Sequence, residues 1–167
     1  MKLRGVYEVK TEKDRIQILA NLIEEGSRSP KIRETALAIV KNCASRDYLC
    51  ELKSIFKWLK ENIRFVGDIK DIDTYHTAER VLNLRQADCD DSLILGASLC
   101  ASIGYPILIK IISQDKNEPF HHIYFLAGVS PDKPTKWYAM DPSRLGSRFG
   151  EEPRYQKSRV YKVIFEA

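Results

Sequence analysis

The chain has 167 residues, enough for one domain with a substantial core and too few for two ordinary ones. Hydrophobic residues make up 44% and charged residues 30%, a globular balance that excludes a disordered chain. Net charge is +4 with basic and acidic residues interspersed, so nucleic-acid binding is not expected, and no apolar run is long enough to span a bilayer. The first residues, Met1-Lys2-Leu3-Arg4, turn charged before a signal core could form, and the expected location is the cytoplasm or an assembly built there.

The first third reads as helical. Lys13 to Glu25 places Ile16, Leu19, Ala20, Leu22 and Ile23 at helical spacing, with Gly26 as the stop. Ser29 as cap and Pro30 at the first helical position open a second helix, expected to reach about Ala44. A third, from about Asp47 to Asn62, buries Leu52, Ile55, Phe56 and Leu59 along one face. Ile63 to Val66 is a short apolar run ending at Gly67-Asp68. Asp71 to Tyr75 is turn-like, and Ala78 to Leu84 predicts a short helix. After Asp88 the segment Leu93, Ile94, Leu95, Ala97, Leu99, Cys100 and Ile103 is apolar on most sides and stops at Gly104. It predicts a helix buried at the centre of the fold.

Beyond Gly104 the pattern is β. Pro106 to Ser113 reads as a strand covered on both sides. Phe120 to Val129 is a second strand, with His121, Ile123 and Phe125 facing one way and His122, Tyr124 and Leu126 the other. A loop from Ser130 to Lys136 leads to a third strand ending at Met140, closed by Asp141-Pro142, and Arg159 to Phe165 predicts a last one. Helices followed by an antiparallel sheet make an α+β domain over residues 1–167, helical over 1–62 and sheet-bearing over 63–167.

Four cysteines occur, none in a C-x-x-C pair, and the histidines lack metal-ligand spacing, so neither a zinc site nor disulfides are expected. Cys43, Cys50 and Cys100 lie in apolar patterns and read as packing thiols. Cys89 differs, because three aspartates (Asp88, Asp90 and Asp91) surround it. It opens the central helix, where unpaired N–H groups and the positive dipole end stabilise a thiolate and can hold an oxyanion. The aspartates oppose this, but an exposed charge pair at ~4 Å is worth only about 1 kcal/mol in water. A protonated imidazole in contact should outweigh them. His122 as base and Asp141 as orienting carboxylate complete the set if their strands form a hairpin. His121 is the alternative base, since adjacent strand residues face opposite sides. Asp141 reads equally well as a turn cap before Pro142. His76, in a polar loop, carries no assigned role, and Trp58 and Trp137 read as core aromatics.

The stretch Ala87-Asp88-Cys89-Asp90-Asp91-Ser92, with its helix running to Gly104-Tyr105-Pro106, resembles the cysteine motif of transglutaminase-like proteins. His122-Ile123-Tyr124 is similar to that family's histidine motif, and Trp137-Tyr138-Ala139-Met140-Asp141-Pro142 to its aspartate motif. Ile63-Arg64-Phe65-Val66-Gly67-Asp68 resembles the lead-in of phage and prophage members. Ala87 departs from the glycine usual two positions before the cysteine. The resemblance implies a papain-like fold, a Cys89–His122–Asp141 triad and acyl transfer through a thioester, with no metal or organic cofactor. Members act as transglutaminases, peptidases or amide hydrolases, and some are silent. It also suggests Gln86 as an oxyanion donor, Asp90 near the substrate and Trp137 along the acyl-acceptor cleft. Expected partners are a protein or peptide substrate, or other virion and assembly proteins if the chain serves a structural role.

Overall fold

The structure is a computed structural model and describes residues 11–67 and 75–165; the turn expected at Asp71 to Tyr75 lies almost wholly outside them. Helix α1 spans Glu12–Ser27, with the Thr11 hydroxyl accepting from the Asp14 amide at its start. Helix α2, Pro30–Val40, is capped by Ser29, and α3, Tyr48–Asn62, by Asp47. A two-residue strand β1 (Arg64–Phe65) pairs in parallel with β2 (Gln86–Ala87), and α4 (Ala78–Leu84) lies between them in the chain. Helix α5 is Cys89–Ser102, capped by Asp88. Strands β3 (Ile107–Ser113), β4 (His122–Val129), β5 (Lys136–Met140) and β6 (Lys157–Lys162) form an antiparallel sheet ordered β5-β4-β3-β6. The α+β class read from the sequence is the observed one.

Helix α5 is buried along all its length from Asp90 to Cys100, because helices cover one side and the sheet the other. Ile109, Ile111, Ile123 and Phe125 face it from the sheet, whereas Ile112, Tyr124, Leu126 and Ala139 form a smaller cluster on the opposite face. Two glycines let α5 fit. A Cβ at Gly96 would stand 2.7 Å from the Phe125 ring, and one at Gly26 of α1 would stand 2.2 Å from Ser98 Oγ. Arg15 of α1 meets Asp90, and Gly26 of α1 meets Ser98, so the two helices run parallel and begin at the same end. That puts the start of α1 beside Cys89.

One expectation is corrected here. Cys43 and Cys50 form a disulfide, with Cα atoms 5.8 Å apart, and are not separate packing thiols. Helix α2 stops at Val40 and not near Ala44, so Cys43 falls in the turn between α2 and α3. The helical hairpin then brings it to Cys50 in the first turn of α3, within ordinary disulfide reach. Among the described residues no helix is long and apolar enough to cross a membrane.

Candidate active site

Cys89 is the first residue of α5, half-buried and packed against the main core. Its sulfur therefore stands in the first helical turn, where the dipole favours an anion. The surrounding aspartates are each engaged. Asp88 accepts from the Asp91 amide at 2.8 Å as the helix cap. Asp90 is buried and receives Arg15 Nη2 at 2.5 Å. Asp91 accepts from His76 through the backbone N–H at 3.3 Å and bonds Nδ1 at 2.9 Å. Burial raises the Asp91 pKa above the usual carboxylate value, against the pull of His76. His76, without a role in the sequence reading, is thus a direct partner of the helix start.

His122 opens β4 and Asp141 directly follows β5. Met140 pairs with Phe125, so the next position lies across from Tyr124, and His122 is its diagonal neighbour on the same face. His122 Nε2 stands 2.7 Å from Asp141 Oδ2, with the carboxylate 2% exposed. Asp141 also accepts from Ser143 Oγ at 3.0 Å and Arg144 Nε at 3.1 Å. Lys60 of α3 donates to the Arg144 carbonyl and to Ser147 Oγ, and Ser147 donates to the Asp141 carbonyl, so the turn is anchored to the helical layer. The Tyr124 ring is a neighbour of the imidazole, 5.8 Å away between centroids and tilted by 33°. Tyr124 is itself held by a 2.8 Å bond to Glu152, which also takes Lys110. The ring of His122 has a fixed partner and a fixed neighbour.

Arg15 links the two halves. It binds Asp90 beside Cys89, and it lines a cavity of about 370 Å³ together with His122, Ile16, Ile111, Phe120 and Arg159. Burial opposes its charge, but Asp90 above all, with Tyr75 and Cys89 contributing, keeps its pKa above the ordinary arginine value.

The other predicted residues are distributed as follows. His121 is exposed, donates its amide to the Ile112 carbonyl, and lines a neighbouring cavity of about 450 Å³ rather than the one His122 lines. Gln86 is exposed in β2, opposite Arg64. The Asp90 carboxylate is directed to α1. Trp137 lies opposite Gly128 toward the far end of the hairpin, roughly 13 Å along the strand from Asp141 at ~3.3 Å per residue, and packs on the smaller cluster. It is not brought to His122. Trp58 stacks under Arg85 at 5.0 Å. Cys100 is fully buried near Met140, and burial pushes its thiol pKa far up. The sequence reading missed Arg15, His76, Tyr124 and Arg144. Only Arg144, three residues after Asp141, had a local signal, that of a basic group beside an acid.

No significantly similar protein is found among curated sequences. Solved structures share the fold. A candidate cysteine protease from Cytophaga hutchinsonii matches with TM-score 0.55 and 17% identity over 91% of this chain and 52% of its own. A candidate protease from Parabacteroides distasonis matches with TM-score 0.60 and 13% identity over 87% of this chain and 28% of its own. The chain thus spans about half the length of the first and little more than a quarter of the second. The model of the transglutaminase-like superfamily core matches residues 33–142, well over half of the sequence and all of the segment from the α5 motif to Asp141. This chain belongs to the transglutaminase-like superfamily.

Proposed function

We propose that the chain is a cysteine-dependent acyl-transfer enzyme, an amide hydrolase, peptidase or transglutaminase, acting through Cys89, His122 and Asp141. The observation that carries this is the 2.7 Å bond from His122 Nε2 to buried Asp141, which leaves Nδ1 as the nitrogen to take a thiol proton. Cys89 attacks the acyl carbon and its proton passes to His122. The tetrahedral intermediate expels an amine that receives that proton, and a thioester remains. Water or a second amine then attacks the thioester with His122 as base, and the thiol is regenerated. Amides at the start of α5 are the proposed oxyanion donors, with Gln86 a second candidate. Asp141 holds the ring and supports the imidazolium.

The substrate in this reading is a protein or peptide, and neither metal nor organic cofactor takes part. One continuous core from α1 to the sheet supports treating residues 1–167 as a single domain. The lead-in Ile63 to Asp68 supports a phage or prophage origin, and with it a second reading: a silent virion or assembly component that keeps the fold. A cytoplasmic location belongs to the same proposal, although the Cys43–Cys50 bond weighs against a strongly reducing compartment.

Iodoacetamide near neutral pH separates the readings. An enzyme labels at Cys89 much faster than at Cys100, and His122→Ala removes the difference. Slow labelling of Cys89 that is indifferent to His122 overturns the enzymatic reading.

A further inference from the structure

We propose that Arg15, from helix α1, is a charge-setting residue of the Cys89 site: its guanidinium, fixed by Asp90, offsets the aspartates around the sulfur and favours the thiolate. The inference rests on the reading of Cys89 as the nucleophile but adds a residue that lies outside the matched family core.

The geometry supplies the case. Helices α1 and α5 run parallel from a common end, and the close approach at Gly26 and Ser98 holds them together. Arg15 lies in the second turn of α1 and therefore reaches the first turn of α5. Its Nη2 binds Asp90, the residue after the cysteine, while its Nε is buried with no hydrogen-bond partner among the described residues. A guanidinium built only to neutralise Asp90 would place a second N–H on that carboxylate, the usual bidentate arrangement. Here it makes one such contact and extends along the cavity that His122 lines.

The charges facing the sulfur can be named. On its own helix are Asp88, Asp90 and Asp91, of which Asp91 is paired with His76. Among the described residues Arg15 comes from α1 and Tyr75 from the segment before α4, and in the proposed site the His122–Asp141 pair joins them from the sheet. Glu12 and Arg159, further along the cavity, bind each other at 3.0 Å. Among the described residues the other cation bonded to the carboxylates by the sulfur is His76, on Asp91, and it is charged only when protonated.

The sign of the effect follows. Removing a positive charge disfavours the thiolate and moves its titration up; removing Asp90 moves it down. The experiment measures the rate of Cys89 alkylation against pH in folded full-length protein, with circular dichroism as the check on folding. Arg15→Gln is expected to raise the midpoint by about one pH unit, and Asp90→Asn to lower it by a smaller step. Because Arg15→Gln removes the ion pair with Asp90 together with the charge, the decisive pair is Asp90→Asn against Asp90→Asn/Arg15→Gln, which differ by the arginine charge with no carboxylate at position 90 in either. An upward move in the double variant supports the proposal, and coincident profiles overturn it. If wild-type Cys89 already titrates like an ordinary thiol and ignores His122→Ala, the enzymatic reading has failed. If only the Arg15 comparison is flat, the failure is confined to this inference.

Discussion

Cys89 and Cys100 occupy the two ends of one helix and the fold treats them in opposite ways. Around Cys89 the three aspartates are each directed to a partner among the described residues: Asp90 to Arg15, Asp91 to His76, Asp88 to the helix cap. Cys100 is fully buried in the main core, and its thiol donates to Met140 Sδ at 4.0 Å. Burial pushes the Cys100 thiol far above its ordinary pKa. The same residue type thus has two chemistries on one element, and the difference comes from what the rest of the chain brings to each end. A helix start exposes N–H groups and attracts polar partners, whereas the far end is closed by the sheet.

Substitutions that break this contrast should act in order of how directly they touch the sulfur. Cys89→Ala should abolish labelling by a thiol-directed activity probe and any acyl transfer, a loss on the order of 10⁴-fold or more, while Cys100→Ala keeps both. Asp141→Asn should follow. It keeps the shape but loses the charge that orients His122, and the alkylation rate of Cys89 should fall by roughly 10²- to 10⁴-fold without loss of fold. Unchanged rates would mean that Asp141 is only a turn cap.

Gly26→Ala tests the scaffold beneath the contrast. A Cβ there overlaps Ser98 Oγ, and separation of α1 from α5 should cost about 2–3 kcal/mol in urea unfolding. Opening the Cys43–Cys50 loop by Cys43→Ser/Cys50→Ser should cost about 2 kcal/mol, since the closed loop is short, and should leave Cys89 reactivity unchanged. Cys100→Ala, deleting one buried atom, should cost only ~1 kcal/mol. A larger loss at Cys100 than at Gly26 would reverse the expected ranking of the two contacts.

Periodicity and capping alone located α1, α3, α4, α5 and β3 to β6 to within a few residues, because each buries one face against the common core and ends on a local stop, whereas the two-residue pair β1–β2 is too short to carry a period. Ser29-Pro30 and Asp88 are caps that act through their own backbone neighbours, so their effect can be read without the fold. The length of α2 was less legible. Nothing in Ala36 to Ala44 marks Val40 as its end, and the disulfide that follows depends on how two helices meet. At the candidate site, Cys89, His122 and Asp141 stand out by motif and order. The partners of the aspartates do not, because Arg15 is one basic residue on an otherwise ordinary amphipathic helix.

Legible from the chain alone are the helices, strands β3 to β6, the burial of α5 and the cysteine at its capped start. These follow from side-chain spacing and from groups that bond within a few residues. Which charges meet needed the fold: it brings Arg15 to Asp90 and His76 to Asp91, and it supplies the hairpin register on which the expected His122–Asp141 pair depended. Electrostatic pairing depends on distances between segments far apart in the chain, and a parallel helix pair and a hairpin register set those distances here.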